Sequence, residues 1–243
     1  MHLLSLIFSS FLLASEPTFH SERLGYSVTG REIYGEIIGS GSEHILYVGG
    51  VHGNEWVGAP LLFSLRQFLL NNPHLLEGKT VVLIPMLNPD GWVDDTRSNR
   101  RRVDLNRNFP SENYGRGLTG EHPLSEPETR LFKEVLDRFQ PKRIVSIHQP
   151  FSCVDYDGSS VRDLAQQMAQ LSRLTLRKLG SRSGSLGAYA KDRYPIITME
   201  LPYDEQYKTT KRLWKRYGEA LTLALIYPET FADADLAELR DSE

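Results

Sequence analysis

The stretch ILYVGGVHGNE, residues 45–55, decides the fold because it joins an apolar run to a polar turn. Residues 45–48 are typical of a buried strand, and Gly49–Gly50 ends that strand and allows the chain to bend sharply. His52 and Glu55 follow at once. We therefore predict that both side chains lie just beyond the carboxyl end of a strand.

Strand-like and helix-like segments alternate along the rest of the chain. Short apolar runs between turn residues predict strands, and apolar residues at helical spacing predict helices. The predicted strands cover residues 80–85, 143–148 and 195–201, and the predicted helices cover residues 60–70, 125–139 (opened by a capping box at Ser125–Glu128), 161–179 and 207–226. This order predicts an α/β fold: a single domain with a central mixed, largely parallel twisted sheet flanked by helices.

The polar residues of interest lie where predicted strands end. His148 ends the strand over residues 143–148, and Glu200 lies near the end of the strand over residues 195–201. In open α/β sheets, ligands bind outside the carboxyl ends of the strands. We therefore expect His52, Glu55, His148 and Glu200 to meet in one crevice.

His52 and Glu55 are spaced so that both can reach one ion from a tight loop or from one helical face. Imidazole nitrogen and carboxylate oxygen are good zinc ligands, and a catalytic zinc has three protein ligands and an open position. Among the 7 histidines of the chain, His148 is the best candidate for the third ligand. The alternatives are a surface hydrogen bond between His52 and Glu55, and a purely structural role for His148 in the core.

A polar, turn-rich stretch between residues 88 and 110 carries Arg97 and Arg107. The guanidinium group donates several hydrogen bonds in a fixed fork, so both residues suit a carboxylate or a developing oxyanion. The neighbouring run Arg100–Arg102 is interpreted as solvated surface.

Five short motifs resemble, in the same order, those of the zinc carboxypeptidases. They are GGVHGNE (49–55), NPDG (88–91), DLNRNF (104–109), SIH (146–148) and TME (198–200). The pattern is most similar to the short bacterial branch that includes murein peptide amidases, and it extends from about residue 49 to residue 202. The resemblance implies a zinc carboxypeptidase-like fold and a Zn²⁺ cofactor bound by His52, Glu55 and His148, with Glu200 as general base.

The same resemblance implies roles for four further residues. Arg97 would polarise the scissile carbonyl, and Asn106 and Arg107 would hold the terminal carboxylate of the substrate. Asp104 would orient a zinc-bound histidine by fixing its tautomer. A structural turn is the alternative for Asp104, and a carboxylate that faces water at a strand end is the alternative for Glu200.

The implied substrate is a peptidoglycan peptide such as L-Ala-γ-D-Glu-meso-diaminopimelate, cut between D-Glu and diaminopimelate. Residues 183–187 (SGSLG) resemble the same branch and are predicted to line the substrate side chain, with a flexible connecting loop as the alternative. Other functions stay open. They are an N-acyl amino-acid amidohydrolase resembling succinylglutamate desuccinylase or aspartoacylase, a carboxypeptidase acting on ordinary peptide C-termini, and a non-catalytic zinc-binding or wall-binding module.

Composition and the N-terminus limit the partners and the location. The net charge of -3 argues against a nucleic-acid partner. The single cysteine, Cys153, excludes an internal disulfide and is either a nucleophile or a structural thiol. The uncharged run over residues 3–14 predicts a signal peptide at residues 1–15, followed by a catalytic domain at residues 16–243. We expect an exported monomer of the bacterial periplasm without a membrane span in the mature chain. A cytoplasmic protein with an N-terminal core segment is the alternative.

Overall fold

An eight-stranded mixed sheet forms the centre of the molecule in a computed structural model of the chain, which describes residues 17–112, 114–115, 118–232, 235–237 and 239. The strands are β1 (Phe19–Tyr26), β2 (Glu32–Gly39), β3 (Glu43–Val48), β4 (Lys79–Ile84), β5 (Arg143–His148), β6 (Cys153–Asp157), β7 (Thr175–Leu176) and β8 (Ile196–Glu200). The helices are α1 (Gly58–Asn71), α2 (Pro89–Asp94), α3 (Pro127–Phe139), α4 (Arg162–Ser172), α5 (Leu186–Ala190) and α6 (Thr210–Ile226).

The sheet order is β1-β2-β4-β3-β5-β8-β6-β7. Strands β4, β3, β5 and β8 are parallel to one another, so their carboxyl ends lie at one edge of the sheet. Strands β1 and β2 are antiparallel additions on one side, and β6 is antiparallel to β8 on the other. The predicted α/β fold with a mixed sheet is confirmed.

The central strands carry apolar residues on both of their faces because both faces are covered. In β3, Ile45 and Tyr47 pack with residues of α1, α4 and α6, whereas Leu46 and Val48 belong to the core on the opposite face, which includes α3. Continuous apolar runs are typical of strands buried on both faces. This explains why residues 45–48 form a strand although apolar and polar residues do not alternate in it.

Three predicted helix boundaries are wrong. The helix predicted from Tyr207 begins at Thr210, because Tyr203–Tyr207 forms a separate 3₁₀ turn and the side chain of Thr209 caps the helix. The helix predicted over residues 161–179 ends at Ser172, because Arg173 adopts the left-handed conformation at φ 56° and the chain then enters β7. The capping box at Ser125 does not form, because Glu126 is the N-cap of α3 and the side chain of Ser125 donates to Glu126 Oε1 at 2.7 Å instead. Pro127 occupies the first turn of the helix, where its missing N–H costs nothing.

The strands β1, β2, β6 and β7 had no counterpart in the sequence analysis. The attachment of β2 and β6 to the sheet depends on β4 and β8, which lie far along the chain. The predicted signal peptide at residues 1–15 lies outside the described residues. No helix in the described part of the chain combines the length and the apolar character needed to cross a bilayer.

Asn108 is a fully buried side chain that ties the start of α3 to the loop before it. Its Nδ2 lies 2.6 Å from the carbonyl oxygen of Thr119 and 2.9 Å from Ser125 Oγ. Its Oδ1 accepts hydrogen bonds from Glu126 N at 3.2 Å and from Thr129 Oγ1 at 2.5 Å. One amide thus satisfies several buried polar groups at once.

We expect Asn108→Ala to lower the free energy of unfolding by roughly 2–4 kcal/mol, because it leaves buried donors and acceptors unpaired. Urea denaturation of the variant and of the wild type measures this difference. Asn71→Ala is the control, since that exposed side chain accepts only from Gln67 Nε2 at 3.2 Å. A loss at Asn108 no larger than that of the control would contradict the assignment.

Candidate functional site

The loop after β3 carries His52 and packs against the turn that opens α2. A Cβ atom on Gly53 would lie 1.9 Å from the carbonyl carbon of Gly91, so only glycine permits this close approach. The side chain of Asn88 caps α2 by accepting a hydrogen bond from Gly91 N at 2.9 Å. The motif at residues 88–91 therefore fixes the position of the His52 loop.

His52, Glu55 and His148 are buried, and their potential ligand atoms all lie within 4.8 Å of one another. Glu55 Oε1 lies 2.7 Å from His52 Nδ1, and Glu55 Oε2 lies 2.9 Å from His148 Nδ1. The two Nδ1 atoms face each other at 3.1 Å, a separation at which two lone pairs repel unless a proton or a cation lies between them. Two imidazoles and one carboxylate form a known catalytic zinc ligand set, so these residues fit a zinc ion.

Asp104 and Arg97 surround this cluster. Asp104 Oδ1 lies 3.1 Å from His52 Nε2. A carboxylate in this position keeps the proton on Nε2 and leaves the lone pair of Nδ1 directed at Glu55 and His148. Arg97 donates from Nε to Asp104 Oδ2 at 3.0 Å and from Nη1 to Glu55 Oε1 at 3.1 Å, so its guanidinium bridges the two carboxylates.

Opposite charges shift the pKa values of the cluster. Burial alone would raise the pKa of Glu55, but the charges of His52 and His148 lower it far below its ordinary value. Burial also opposes ionisation of Asp104, yet its hydrogen bond and charge interaction with His52 lower its pKa. Burial would lower the pKa of His52, and the two carboxylates raise it. The site therefore holds ionised carboxylates in a buried place, which suits a bound cation.

Glu200 ends β8 beside His148, its register partner at the end of β5. It is 9% exposed, and its Oε2 has no hydrogen-bond partner among the described residues. Burial raises the pKa of Glu200 and the charge of Glu55 raises it further, whereas the charge of His148 acts in the opposite direction. A partly desolvated carboxylate with a free oxygen is suited to accept a proton.

One cavity of about 260 Å³ is lined by every residue that the sequence analysis assigned to the site. These residues are His52, Glu55, Arg97, Asp104, Asn106, Arg107, His148 and Glu200. The cavity brings together His52, Glu55, His148 and Glu200, as their positions at strand ends predict, and the roles assigned to the eight residues stay predictions.

The segment over residues 183–187 forms one wall of the cavity, through Ser185, Leu186 and Gly187. Asn106 Oδ1 holds it by accepting a hydrogen bond from Leu186 N at 2.8 Å. Gly184 adopts φ +70°, and a Cβ atom there would lie 2.0 Å from the carbonyl oxygen of Arg107. The segment is thus anchored to the DLNRNF motif, and its contact with a substrate stays a prediction.

Other residues with polar side chains line the cavity but received no role from the sequence, among them Asp155, Asp157, Thr198 and Arg182. Asp155 and Asp157 lie on β6, which was not predicted. The available signal was the alternation in CVDYD, residues 153–157, which places acidic side chains on one face if the segment is a strand.

Cys153 begins β6 opposite Glu200 and is fully buried. Burial, followed by the charge of Glu200, raises the pKa of the thiol to about 11. Such a thiol is not ionised near neutral pH and is a poor nucleophile. The structural alternative for Cys153 therefore fits the molecule.

Solved structures share this architecture. The murein-tripeptide amidase MpaA from Escherichia coli O157 superposes with a TM-score of 0.71 and 27% identity, over 87% of this chain and 93% of that chain. The carboxypeptidase A from Helicoverpa armigera gives a TM-score of 0.68 at 23% identity, over 76% of this chain and 59% of that chain, which is a likeness of fold alone.

Curated sequences lead to the same family. Murein peptide amidase A of Escherichia coli (strain K12) is 33% identical over 177 residues, which are 65% of this chain and 70% of that protein. Murein peptide amidase A of Vibrio campbellii is 30% identical over 178 residues, covering 65% and 68%. The family model described as zinc carboxypeptidase matches residues 11–183, a range that includes the His52 loop and the strand ending in His148. The chain therefore belongs to the zinc carboxypeptidase family.

Proposed function

We propose that this metallocarboxypeptidase-type hydrolase cleaves the bond between γ-D-Glu and meso-diaminopimelate in peptidoglycan peptides, with Glu200 as the general base. The observation that carries the proposal is the convergence of His52, Glu55 and His148 beside an unpaired Glu200 carboxylate in one cavity. The substrate is supported by the names of the relatives, which are murein peptide amidases. Export through residues 1–15 belongs to the same proposal, because it would bring the enzyme to its substrate.

In the proposed site, His52, Glu55 and His148 would hold a zinc ion. A bound zinc ion supplies Lewis acidity and lowers the pKa of water from about 15.7 toward 7. Asp104 orients His52 by accepting a hydrogen bond from Nε2–H, so that the lone pair of Nδ1 would be free to bind the metal. The matched family range ends before Glu200, and the support for Glu200 is therefore its register next to His148.

Glu200 takes a proton from the attacking water and later gives it to the leaving amine. Arg97 stabilises the negative charge that develops on the scissile carbonyl oxygen, a contribution of about 3–4 kcal/mol for one donor in comparable sites. Asn106 and Arg107 bind the terminal carboxylate of the substrate. Their position on the cavity wall supports this role, because Arg107 forms no ion pair with any described carboxylate.

The activity is tested first with the tripeptide L-Ala-γ-D-Glu-meso-diaminopimelate, using mass spectrometry to detect free diaminopimelate. We expect release that stops on treatment with a chelator and returns when zinc is added, because the metal completes the site. If the protein retains zinc but releases no diaminopimelate, the assignment of this substrate is wrong. Ordinary C-terminal peptides and N-acyl amino acids would then be assayed as the remaining alternatives.

Glu200→Gln is expected to keep zinc and the fold but to reduce kcat by at least about 100-fold, since the amide cannot take a proton. Zinc content by elemental analysis and the thermal midpoint of unfolding are the controls for a preserved site. Turnover near the wild-type rate would refute the assignment of the base.

The pH dependence of kcat/KM reports the ionisation of Glu200 in the free enzyme. Glu200 must be ionised to act as a base, and its pKa is raised by burial and by Glu55. Activity should therefore be present at neutral pH and be lost as the pH falls through a pKa above the ordinary glutamate value of about 4.3. Circular dichroism at each pH checks that the protein stays folded. A loss of kcat/KM centred at or below the ordinary glutamate pKa would contradict the prediction.

A further inference from the structure

An aromatic groove of about 520 Å³ lies beside the His52 loop and is separate from the cavity described above, with which it shares no lining residue. Trp56 directly follows Glu55 in the chain, and Trp92 directly follows Gly91, so both aromatic side chains project from the segments that position that loop. The larger apolar side chains that line the groove are those of Trp56, Pro60, Phe63, Met86, Trp92 and Leu213.

The aromatic side chains of the groove are open to solvent. Trp56, Phe63 and Trp92 are between 43% and 49% exposed. The 3₁₀ turn over residues 203–207 borders the groove and exposes two tyrosines still further. Exposed apolar surface is unfavourable in water, and a contiguous patch of it marks a site of contact with a protein or a membrane.

A basic segment, residues 208–216 (KTTKRLWKR), follows this turn and borders the groove, which Lys208 and Leu213 line. It contains five cations and no acidic residue, although the net charge of the whole chain is -3. Lys208 and Arg216 form ion pairs with carboxylates of the turn. The other three cations are exposed and have no ion-pair partner among the described carboxylates. These three are Lys211, Arg212 and Lys215.

Two of the unpaired cations lie where a helix disfavours positive charge. α6 begins at Thr210, so that Lys211 and Arg212 lie in its first turn, which contains no acidic residue. The N-terminus of a helix carries partial positive charge and repels cations. Contact with an anionic surface would offset this repulsion.

An anionic bilayer offers a partner for both the groove and the basic segment. Trp and Tyr rings are enriched at the headgroup level of membranes, and Lys and Arg are attracted to anionic lipids. A nucleic acid would pair with the cations but would leave aliphatic side chains such as Met86 and Leu213 exposed to water. An apolar protein segment would fill the groove but would leave the cations unpaired.

We propose that the aromatic groove and the basic segment together dock the protein on an anionic phospholipid bilayer. Trp56 and Trp92 insert at the level of the headgroups, and Lys211, Arg212 and Lys215 contact the lipid phosphates. This docking does not depend on the proposed substrate, since the groove and the cavity have no lining residue in common. It places the protein at the surface of a membrane that no described helix is able to cross.

The test measures sedimentation of the full chain with vesicles of phosphatidylcholine alone and with vesicles that also contain phosphatidylglycerol. The wild type should bind the anionic vesicles, and added salt should weaken the binding. The triple variant Lys211→Gln, Arg212→Gln, Lys215→Gln should lower the partition constant by about ten- to hundredfold, because each basic residue near an anionic surface adds to the attraction. Its thermal midpoint of unfolding should not fall, since two of the removed charges oppose the helix dipole.

Tryptophan fluorescence reports on the groove itself. The chain has 3 tryptophans, and Trp214 is only 6% exposed, so a blue shift on vesicle binding arises from Trp56 and Trp92. Trp92→Ala should reduce this shift and should also lower the partition constant. Vesicle binding without a blue shift would show that the groove stays in water and would overturn the proposal.

The matched control is the variant Lys133→Gln, Arg138→Gln, Lys142→Gln. It removes the same charge from exposed positions on or next to α3, which packs on the opposite face of the sheet from α1 and α6. It should bind vesicles as the wild type does, and an equal loss in this control would overturn the proposal.

The uncharged run over residues 3–14 could bind vesicles by itself, but such binding would need no anionic lipid and would persist in the Lys211, Arg212 and Lys215 variant. Either result would therefore contradict docking through the groove. A wild type that binds a nucleic acid or an apolar peptide but neither kind of vesicle would contradict it as well.

Discussion

The parallel pairing of β3, β5 and β8 is the constraint on which the site depends. It aligns the carboxyl ends of strands that are distant in sequence, so that the loop bearing His52 and Glu55, the last residue of β5 and the last residue of β8 meet at one edge. The apolar residues within these strands are buried on both faces, which fixes their register. A one-residue slip of β8 would turn Glu200 away from His148.

The residues that could be recognised from sequence share a simple property. His52 and Glu55 follow an apolar run, and His148 ends another. Each residue can therefore be recognised from the residues immediately before it. Asp155 could not be recognised this way, because its place in the cavity depends on antiparallel pairing between β6 and β8. The end of α4 at Ser172 was missed for a related reason: apolar spacing continues past it, but the backbone at Arg173 turns left-handed and feeds β7.

The charged residues that line the cavity form two groups. Near the strand ends, Asp104 and Arg97 connect His52 and Glu55 into a hydrogen-bonded network that holds these side chains in place. Deeper along β6, Asp157 accepts hydrogen bonds from Lys178 and Ser181, and Asp155 accepts one from the backbone N–H of Leu179. The two groups lie on different elements of the fold, so that one can change in a related protein without displacing the other.

The buried thiol of Cys153 has a practical consequence for spectroscopy. The chain has no second cysteine, and this one is inaccessible and un-ionised near neutral pH. A cysteine introduced at an exposed position would therefore be the sole site that reacts with a maleimide dye or a spin label in the folded protein. Distances and motions around the cavity can then be followed without first removing the native sulfur.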